Sequence, residues 1–271
     1  MKRSAALSPS CVLPGSVPSM MSPLIVIPAR MASTRLPGKP LADIGGRPMI
    51  LHVLERALAS GVGRVVVAAA DEEIVACVRN AGGEVVLTDP ELPSGSDRAH
   101  AAAELLDPER RHKVVVNLQG DLPGLDPQSL RAVLAPLSDD AISIGTLVAP
   151  IHDAEEAAAD SVVKVACAFQ DNGVAGTDAV ARALYFSRVA IPWGAGPLWH
   201  HVGVYAWRRD ALERFVALPE SILERREKLE QLRALEAGMA IGCARIPVAP
   251  FGVDTPDDLA RARRMIERAS A

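Results

Sequence analysis

Cations cluster in one short stretch of an otherwise acidic chain. Between positions 30 and 47, Arg30, Arg35, Lys39 and Arg47 face only Asp43, a local charge of +3 (four minus one) in a 271-residue sequence of formal net charge −4. The segment Pro28-Ala29-Arg30-Met31-Ala32-Ser33-Thr34-Arg35-Leu36-Pro37-Gly38-Lys39-Pro40 directly follows the apolar run Leu24-Ile25-Val26-Ile27. Small residues at the end of a strand let backbone N–H groups approach an anion, and three side-chain cations beside them make a cradle suited to a polyphosphate. The same composition also suits a solvated basic loop. Two better-known cradles are excluded. A P-loop needs Gly five residues before its Gly-Lys pair and Ser or Thr after it, where this chain has Ser33 and Pro40. A dinucleotide fingerprint fails because Gly61-x-Gly63 precedes its strand and lacks the third glycine.

Two aspartates complete the candidate chemistry. Asn117-Leu118-Gln119-Gly120-Asp121 delivers Asp121 at the tip of an apolar run, and Phe251-Gly252-Val253-Asp254-Thr255-Pro256 carries Asp254. A carboxylate at the carboxyl end of a strand, beside polyphosphate, is placed to hold Mg2+, which takes one or two carboxylates and leaves its other positions to phosphate and water. Gly-Asp is also a common turn pair, and Asp-Thr-Pro is an ordinary helix start.

The elements that must position these residues can be read from periodicity. Leu24 to Ile27 predicts a strand buried on both faces. Met49, Ile50, Val53, Leu54, Ala57 and Leu58 predict a helix stopped by Gly61; Arg64–Ala69 reads as a strand, residues around Ile74 to Val78 as a helix closed by Gly82-Gly83, and Glu84–Leu87 as a strand. A helix over Asp97–Leu106 and a strand over Lys113–Leu118 continue the alternation. Repeated βαβ spacing predicts an α/β fold of three layers, α/β/α, on a mainly parallel sheet with its ligand at the carboxyl ends of the strands. Further on, Ala141–Val148, Val162–Ala168, Leu184–Phe186, Val202–Trp207 and Ala240–Ile246 read as strands. Glu220–Ala237 reads as one highly charged helix, and a last helix starts at Pro256 with Thr255 as its cap. Asp171–Ala179 is expected to be a mobile loop.

Composition narrows the function classes. Hydrophobic residues make up 49% and aromatics 3%, so Val, Ala, Leu and Ile must fill a large core. The acidic balance argues against a nucleic-acid protein that binds with its whole surface. No apolar run reaches the eighteen or so residues of a membrane span. Cys11, Cys77, Cys167 and Cys243 lie far apart, which suggests neither a zinc cage nor a disulfide framework and fits a reducing cytosol. Residues 1–22 are expected to be a disordered leader, or the product of a start assigned upstream of Met20 or Met21, because Pro9, Ser10, Pro14, Gly15 and Pro18 interrupt any signal-peptide core. Residues 23–271 are expected to form a single domain.

Taken in order, several stretches resemble the CTP-dependent sugar-acid cytidylyltransferases. They are Ile27-Pro28-Ala29-Arg30-x-Ala32-Ser33-Thr34-Arg35-Leu36-Pro37-Gly38-Lys39-Pro40-Leu41, Ser94-Gly95-Ser96-Asp97-Arg98, Asn117-Leu118-Gln119-Gly120-Asp121, Ala183-Leu184-Tyr185-Phe186-Ser187-Arg188-x-x-Ile191-Pro192, His201-x-Gly203-x-Tyr205, Lys228-Leu229-Glu230-Gln231-Leu232-Arg233-x-Leu235 and Gly252-Val253-Asp254-Thr255-Pro256-x-Asp258-Leu259. The resemblance spans essentially Pro23 to the C-terminus. It implies that Ala29, Arg30, Lys39, Ser94, Gly95, Arg98 and Gln119 bind CTP, with Arg30 and Lys39 on its phosphates and Gln119 and the Ser94–Arg98 loop at cytosine. It implies Asp121 and Asp254 as ligands of Mg2+, and Arg188, His201, Tyr205, Glu230 and Gln231 as the pocket for 3-deoxy-manno-octulosonate (KDO). Leu122 stands where many relatives have Glu, which excludes a metal ligand at that position. A sugar-binding and dimerisation subregion around 183–237, and a homodimer in the cytosol of a lipopolysaccharide-making bacterium, are implied as well.

The chemistry so implied is nucleotidyl transfer, in which the anomeric hydroxyl of the sugar acid attacks the α-phosphorus of CTP and pyrophosphate leaves. Arg30, Lys39, Asp121 and Asp254 would be the catalytic groups. Two alternatives stay open on sequence alone: a sialic acid or amino-substituted octulosonate as acceptor, and a nucleotide-binding regulator that performs no transfer.

Overall fold

The computed structural model describes residues 22–33, 35–169 and 180–270; the expected leader, up to residue 21, and the expected mobile loop at 171–179 lie outside them. In chain order the elements are β1 (Leu24–Ala29), the hairpin strands β2 (Asp43–Ile44) and β3 (Arg47–Pro48), α1 (Met49–Ser60), β4 (Arg64–Ala69), α2 (Glu72–Asn80), β5 (Val85–Leu87), α3 (Gly95–Leu106), β6 (Val114–Asn117), α4 (Ser129–Ala132), β7 (Ile144–Ile151), α5 (Ala154–Ala158), β8 (Lys164–Cys167), β9 (Val180–Ser187), β10 (Leu198–Arg208), α6 (Arg209–Val216), α7 (Ile222–Glu227), α8 (Gln231–Glu236), β11 (Ile241–Arg245) and α9 (Pro256–Ser270).

Nine strands form one sheet in the order β5-β4-β1-β6-β10-β7-β11-β9-β8. The β5, β4, β1 and β6 block is parallel, as the βαβ spacing requires. The second half departs from the expectation of a mainly parallel sheet. β10 is antiparallel to both β6 and β7, β9 is antiparallel to both β11 and β8, and only β7 and β11 pair in parallel. The sheet is therefore mixed. The cause is connectivity: β9 and β10 are joined without a crossover helix, so nothing forces them to run the same way as their neighbours.

Helices cover both faces. The apolar stripe of α1 (Ile50, Val53, Leu54, Ala57) and that of α2 (Ile74, Val75, Val78) bury against Ile25, Ile27, Val65, Val67 and Val116. On the other face Ala99, Ala102 and Ala103 of α3 lie on Leu24, Val26 and Val115, and small side chains let this helix approach the sheet closely. A third, smaller cluster joins Ile44 and Met49 to Val253, Leu259 and Ala262, and so fixes the start of α9 against the β2–β3 hairpin.

Some expected elements differ in extent. The short strand read at Leu184–Phe186 runs from Val180 to Ser187, and the strand read at Val202–Trp207 runs from Leu198 to Arg208 with a bulge between Val202 and Tyr205. The single helix expected at Glu220–Ala237 is two. Lys228 takes a left-handed conformation (φ 57°), and the Lys228 and Leu229 N–H groups close back on Glu224 C=O. Arg188 explains why the break is tolerated: its guanidinium donates to Glu227 C=O at 2.9 Å and Lys228 C=O at 3.3 Å, carbonyls that a continuous helix would have satisfied internally.

Candidate active site

The chain leaves β1, returns through β4 and β5 on one side, and then crosses to β6 on the other. The loops that follow β1 and β6 therefore diverge and leave a crevice at the carboxyl ends of the parallel strands. A cleft of about 350 Å3 occupies this place, and its walls include Ala29, Arg30, Arg35, Lys39, Ser94, Gly95, Arg98, Gln119, Asp121 and Asp254. Every residue that the resemblance assigned to nucleotide or metal is thus gathered from four separate segments into one cavity.

Local structure explains each placement. Gly38 lies in the left-handed region (φ 68°) and its N–H reaches Met31 C=O at 3.2 Å, closing the basic loop so that Lys39 opens a short 3-10 turn facing inward. Asp71, just after β4, accepts from Met31 N–H at 2.7 Å and so fixes the residue next to Arg30. Ser94 caps α3, accepting from the N–H groups of Ser96 and Asp97, and places the start of that helix on the cleft wall. Asp254 sits just before α9, where Thr255 and Asp258 cap reciprocally: Thr255 N–H donates to Asp258 and Asp258 N–H to the Thr255 hydroxyl. The Val253 N–H donates to Asp121 C=O at 2.9 Å, tying the two carboxylate-bearing segments together across the sequence.

The charges are paired tightly. Lys39 Nζ donates to Asp121 Oδ2 at 2.7 Å and to Asp254 Oδ1 at 2.9 Å, while Arg35 contacts Asp254 Oδ2 at 3.2 Å. Burial lowers the pKa of Lys39, but the two carboxylates more than offset this and hold the ammonium above its usual value. Because one ammonium already bridges both aspartates, their oxygens converge on a single cation position. Hard oxygen donors of this number suit Mg2+, with its remaining positions left to phosphate and water. Among the described residues no group of three or more His, Cys, Asp or Glu is placed to hold a metal ion.

Arg98 lines the cleft, but its guanidinium is buried and donates to the Thr88 hydroxyl at 2.6 Å and to Asp89 C=O at 2.9 Å, which makes it a brace for the loop after β5. Burial and the neighbouring Arg30 lower its pKa. Gln119 approaches Asn117 Oδ1 at 3.4 Å, and Asn117 in turn donates to Ser96 at 3.4 Å, a chain of amides and hydroxyls beside the cleft.

The five residues expected to hold a sugar acid lie outside the cleft wall. His201, Tyr205 and Gln231 are buried. The His201 ring lies 4.8 Å from Phe186 and 5.6 Å from Tyr205 between centroids, and its Nε2 is 3.0 Å from the Thr146 hydroxyl. Glu230 connects this group to the cleft, accepting from the Ser94 hydroxyl at 2.8 Å; burial pushes its carboxyl above the usual range. Burial and then the nearby Glu230 raise the Tyr205 phenol. Arg188 stands apart, on the carbonyls of Asp160, Glu227 and Lys228. Two contributors escaped sequence reasoning. Asp71 lies in no motif that signals a loop brace, and Glu227, which accepts from the Ser187 hydroxyl at 3.0 Å and the Arg188 N–H at 3.2 Å, looks in sequence like one more charge on a solvated helix.

Residues 24–241 match the family described as cytidylyltransferase. A 3-deoxy-manno-octulosonate cytidylyltransferase of Parvibaculum lavamentivorans is 59% identical over 248 residues, covering 92% of this chain and 94% of the relative. A solved structure of CMP:2-keto-3-deoxy-manno-octonic acid synthetase complexed with CTP is 40% identical, with a TM-score of 0.81 over 92% of this chain and 100% of that one. The 4-diphosphocytidyl-2C-methyl-D-erythritol synthase of Anaerococcus prevotii, 11% identical with a TM-score of 0.58, shares the fold alone.

Proposed function

This chain belongs to the cytidylyltransferase family, and from that premise we propose that it transfers CMP from CTP to the anomeric hydroxyl of KDO, releasing pyrophosphate and forming CMP-KDO for lipopolysaccharide synthesis. The observation that carries the reading is the cleft itself, in which a basic loop faces a pair of aspartates at the switch point of the sheet. Arg30 and Lys39 bind the phosphates and neutralise the charge that grows on the departing pyrophosphate. Gln119 and the start of α3 receive the cytosine, with Arg98 holding the adjoining loop in place. Asp121 and Asp254 would hold Mg2+, whose charge would polarise the α-phosphate and lower the pKa of the attacking hydroxyl. Glu230, hydrogen-bonded to Ser94, joins the nucleotide side to the sugar side, where His201, Tyr205, Gln231 and Arg188 set the shape of the acceptor pocket around residues 183–237. The same reading takes the enzyme to be a cytosolic homodimer.

The test is pyrophosphate release from purified protein with CTP and Mg2+ across KDO, its 8-amino analogue, N-acetylneuraminate and no sugar. Release with KDO alone is expected. Release only with another acid would move the acceptor assignment, and release with none would overturn transfer in favour of a nucleotide-binding regulator.

A further inference from the structure

Lys39 stands between the two carboxylates that the transfer reading assigns to the metal. Its Nζ is 2.7 Å from Asp121 and 2.9 Å from Asp254, and its side chain is only 18% exposed. With Arg35 on the second oxygen of Asp254, the four groups sum to no net charge, two cations against two anions. The aspartates are fixed: Val253 N–H to Asp121 C=O and the cap at Thr255–Asp258 hold their backbones. Lys39 is the movable member, a charge at the end of a four-carbon stem.

From this we propose that Lys39 is an internal counter-ion that keeps the metal position closed until a polyphosphate draws it away, so that metal loading depends on nucleotide. The proposal rests on the transfer reading above and concerns how that same site is regulated. A divalent cation that arrives alone meets carboxylates already neutralised, and must either lie beside an ammonium or drive it into solvent without a partner. A polyphosphate in the same cleft gives the ammonium a new anion, and one swing of the side chain then frees both carboxylates. Metal and polyphosphate become mutually reinforcing through a single side chain, and linkage makes that coupling reciprocal. Between turnovers the ion pair also spares the protein an uncompensated Asp121 carboxylate in a partly buried place.

The experiment is nucleotide-free Mn2+ binding by electron paramagnetic resonance, comparing wild type with Lys39→Met. Removing the ammonium is expected to tighten the Mn2+ Kd by at least about tenfold, and adding Asp121→Asn to Lys39→Met should abolish the gain. Arg35→Gln should have a smaller effect, because Arg35 is 64% exposed and touches only Asp254 of the pair. If Lys39→Met is less stable, Mn2+ should raise its melting temperature more than that of wild type, which reads the same coupling. Equal Mn2+ affinity and equal thermal shift in wild type and Lys39→Met would overturn the proposal. Failure of wild type to bind CTP would instead overturn the transfer reading, while a gain of Mn2+ affinity in Lys39→Met would still stand.

Discussion

Asp121 acts through its charge and its place, and the two can be separated. Asn at 121 keeps the shape of the side chain and the backbone bond to Val253, and removes an anion from the position shared with Asp254. Asp121→Asn should lower the rate of pyrophosphate release by at least about a hundredfold with little change in melting temperature; near-normal turnover would remove Asp121 from the metal assignment. His201 makes a different kind of prediction. Burial, helped by His200, brings its pKa from 6.5 down to about 3. The unfolded chain takes up this proton as the pH falls below 6.5, and the folded chain does so only near 3. The stability that the neutral ring contributes is therefore complete above pH 6.5 and is lost on acidification, by up to about 1.4 kcal/mol per pH unit. His201→Gln should flatten the acid side of the stability curve by about one proton between pH 6 and 4, measured by urea unfolding; an unchanged slope would mean that the ring is protonated in the folded protein.

At the scale of elements, the break between α7 and α8 is the feature least expected from sequence. Glu220 to Ala237 has charges and leucines at helical spacing and no glycine or proline inside the short helices' junction, so nothing local marks Lys228 as a terminus. The break is supported from a distance, by Arg188 just after β9, whose guanidinium satisfies the carbonyls of Glu227 and Lys228. It matters for function because the break turns Glu230 toward Ser94 at the cap of α3. A residue with a Cβ pays for the left-handed conformation, and Gly does not. Lys228→Gly should therefore raise the unfolding free energy by about 1 kcal/mol, read from a shift of the urea midpoint at constant slope. A lower midpoint would show that the Lys228 side chain supplies more than the strained backbone costs.

For the whole molecule, the two halves of the sheet are held by different devices. The parallel block is covered by helices of ordinary length, whereas the segment around α4 lies almost directly on the strands β7 and β11. Gly145 and Gly242 are partners in register there, and a Cβ on Gly145 would stand 2.2 Å from Val133 C=O while one on Gly242 would stand 2.6 Å from Pro136 Cβ. The paired glycines are what lets backbone meet sheet so closely. Gly145→Ala should destabilise the protein by at least about 2 kcal/mol in chemical denaturation, without altering the Mn2+ behaviour of the distant Lys39 cluster; retention of full stability would mean that the α4 segment shifts freely.

The sequence by itself determined the parallel half of the fold and most of the cleft. Buried strands, helices with apolar stripes, Gly61 and Thr255 at helix ends, and a basic loop following the first strand are all signals carried by neighbouring residues, which is why β1, α1, β4 and the start of α9 could be read directly. Tertiary structure alone decided the direction of β9 and β10, the splitting of the charged helix at Lys228, the braces at Asp71 and Glu227, and the bridge of Lys39 between Asp121 and Asp254. Each of these joins groups far apart along the chain. Their energies come from carbonyls, charges and strand edges that have no partner until the chain has folded, so no local pattern can announce them.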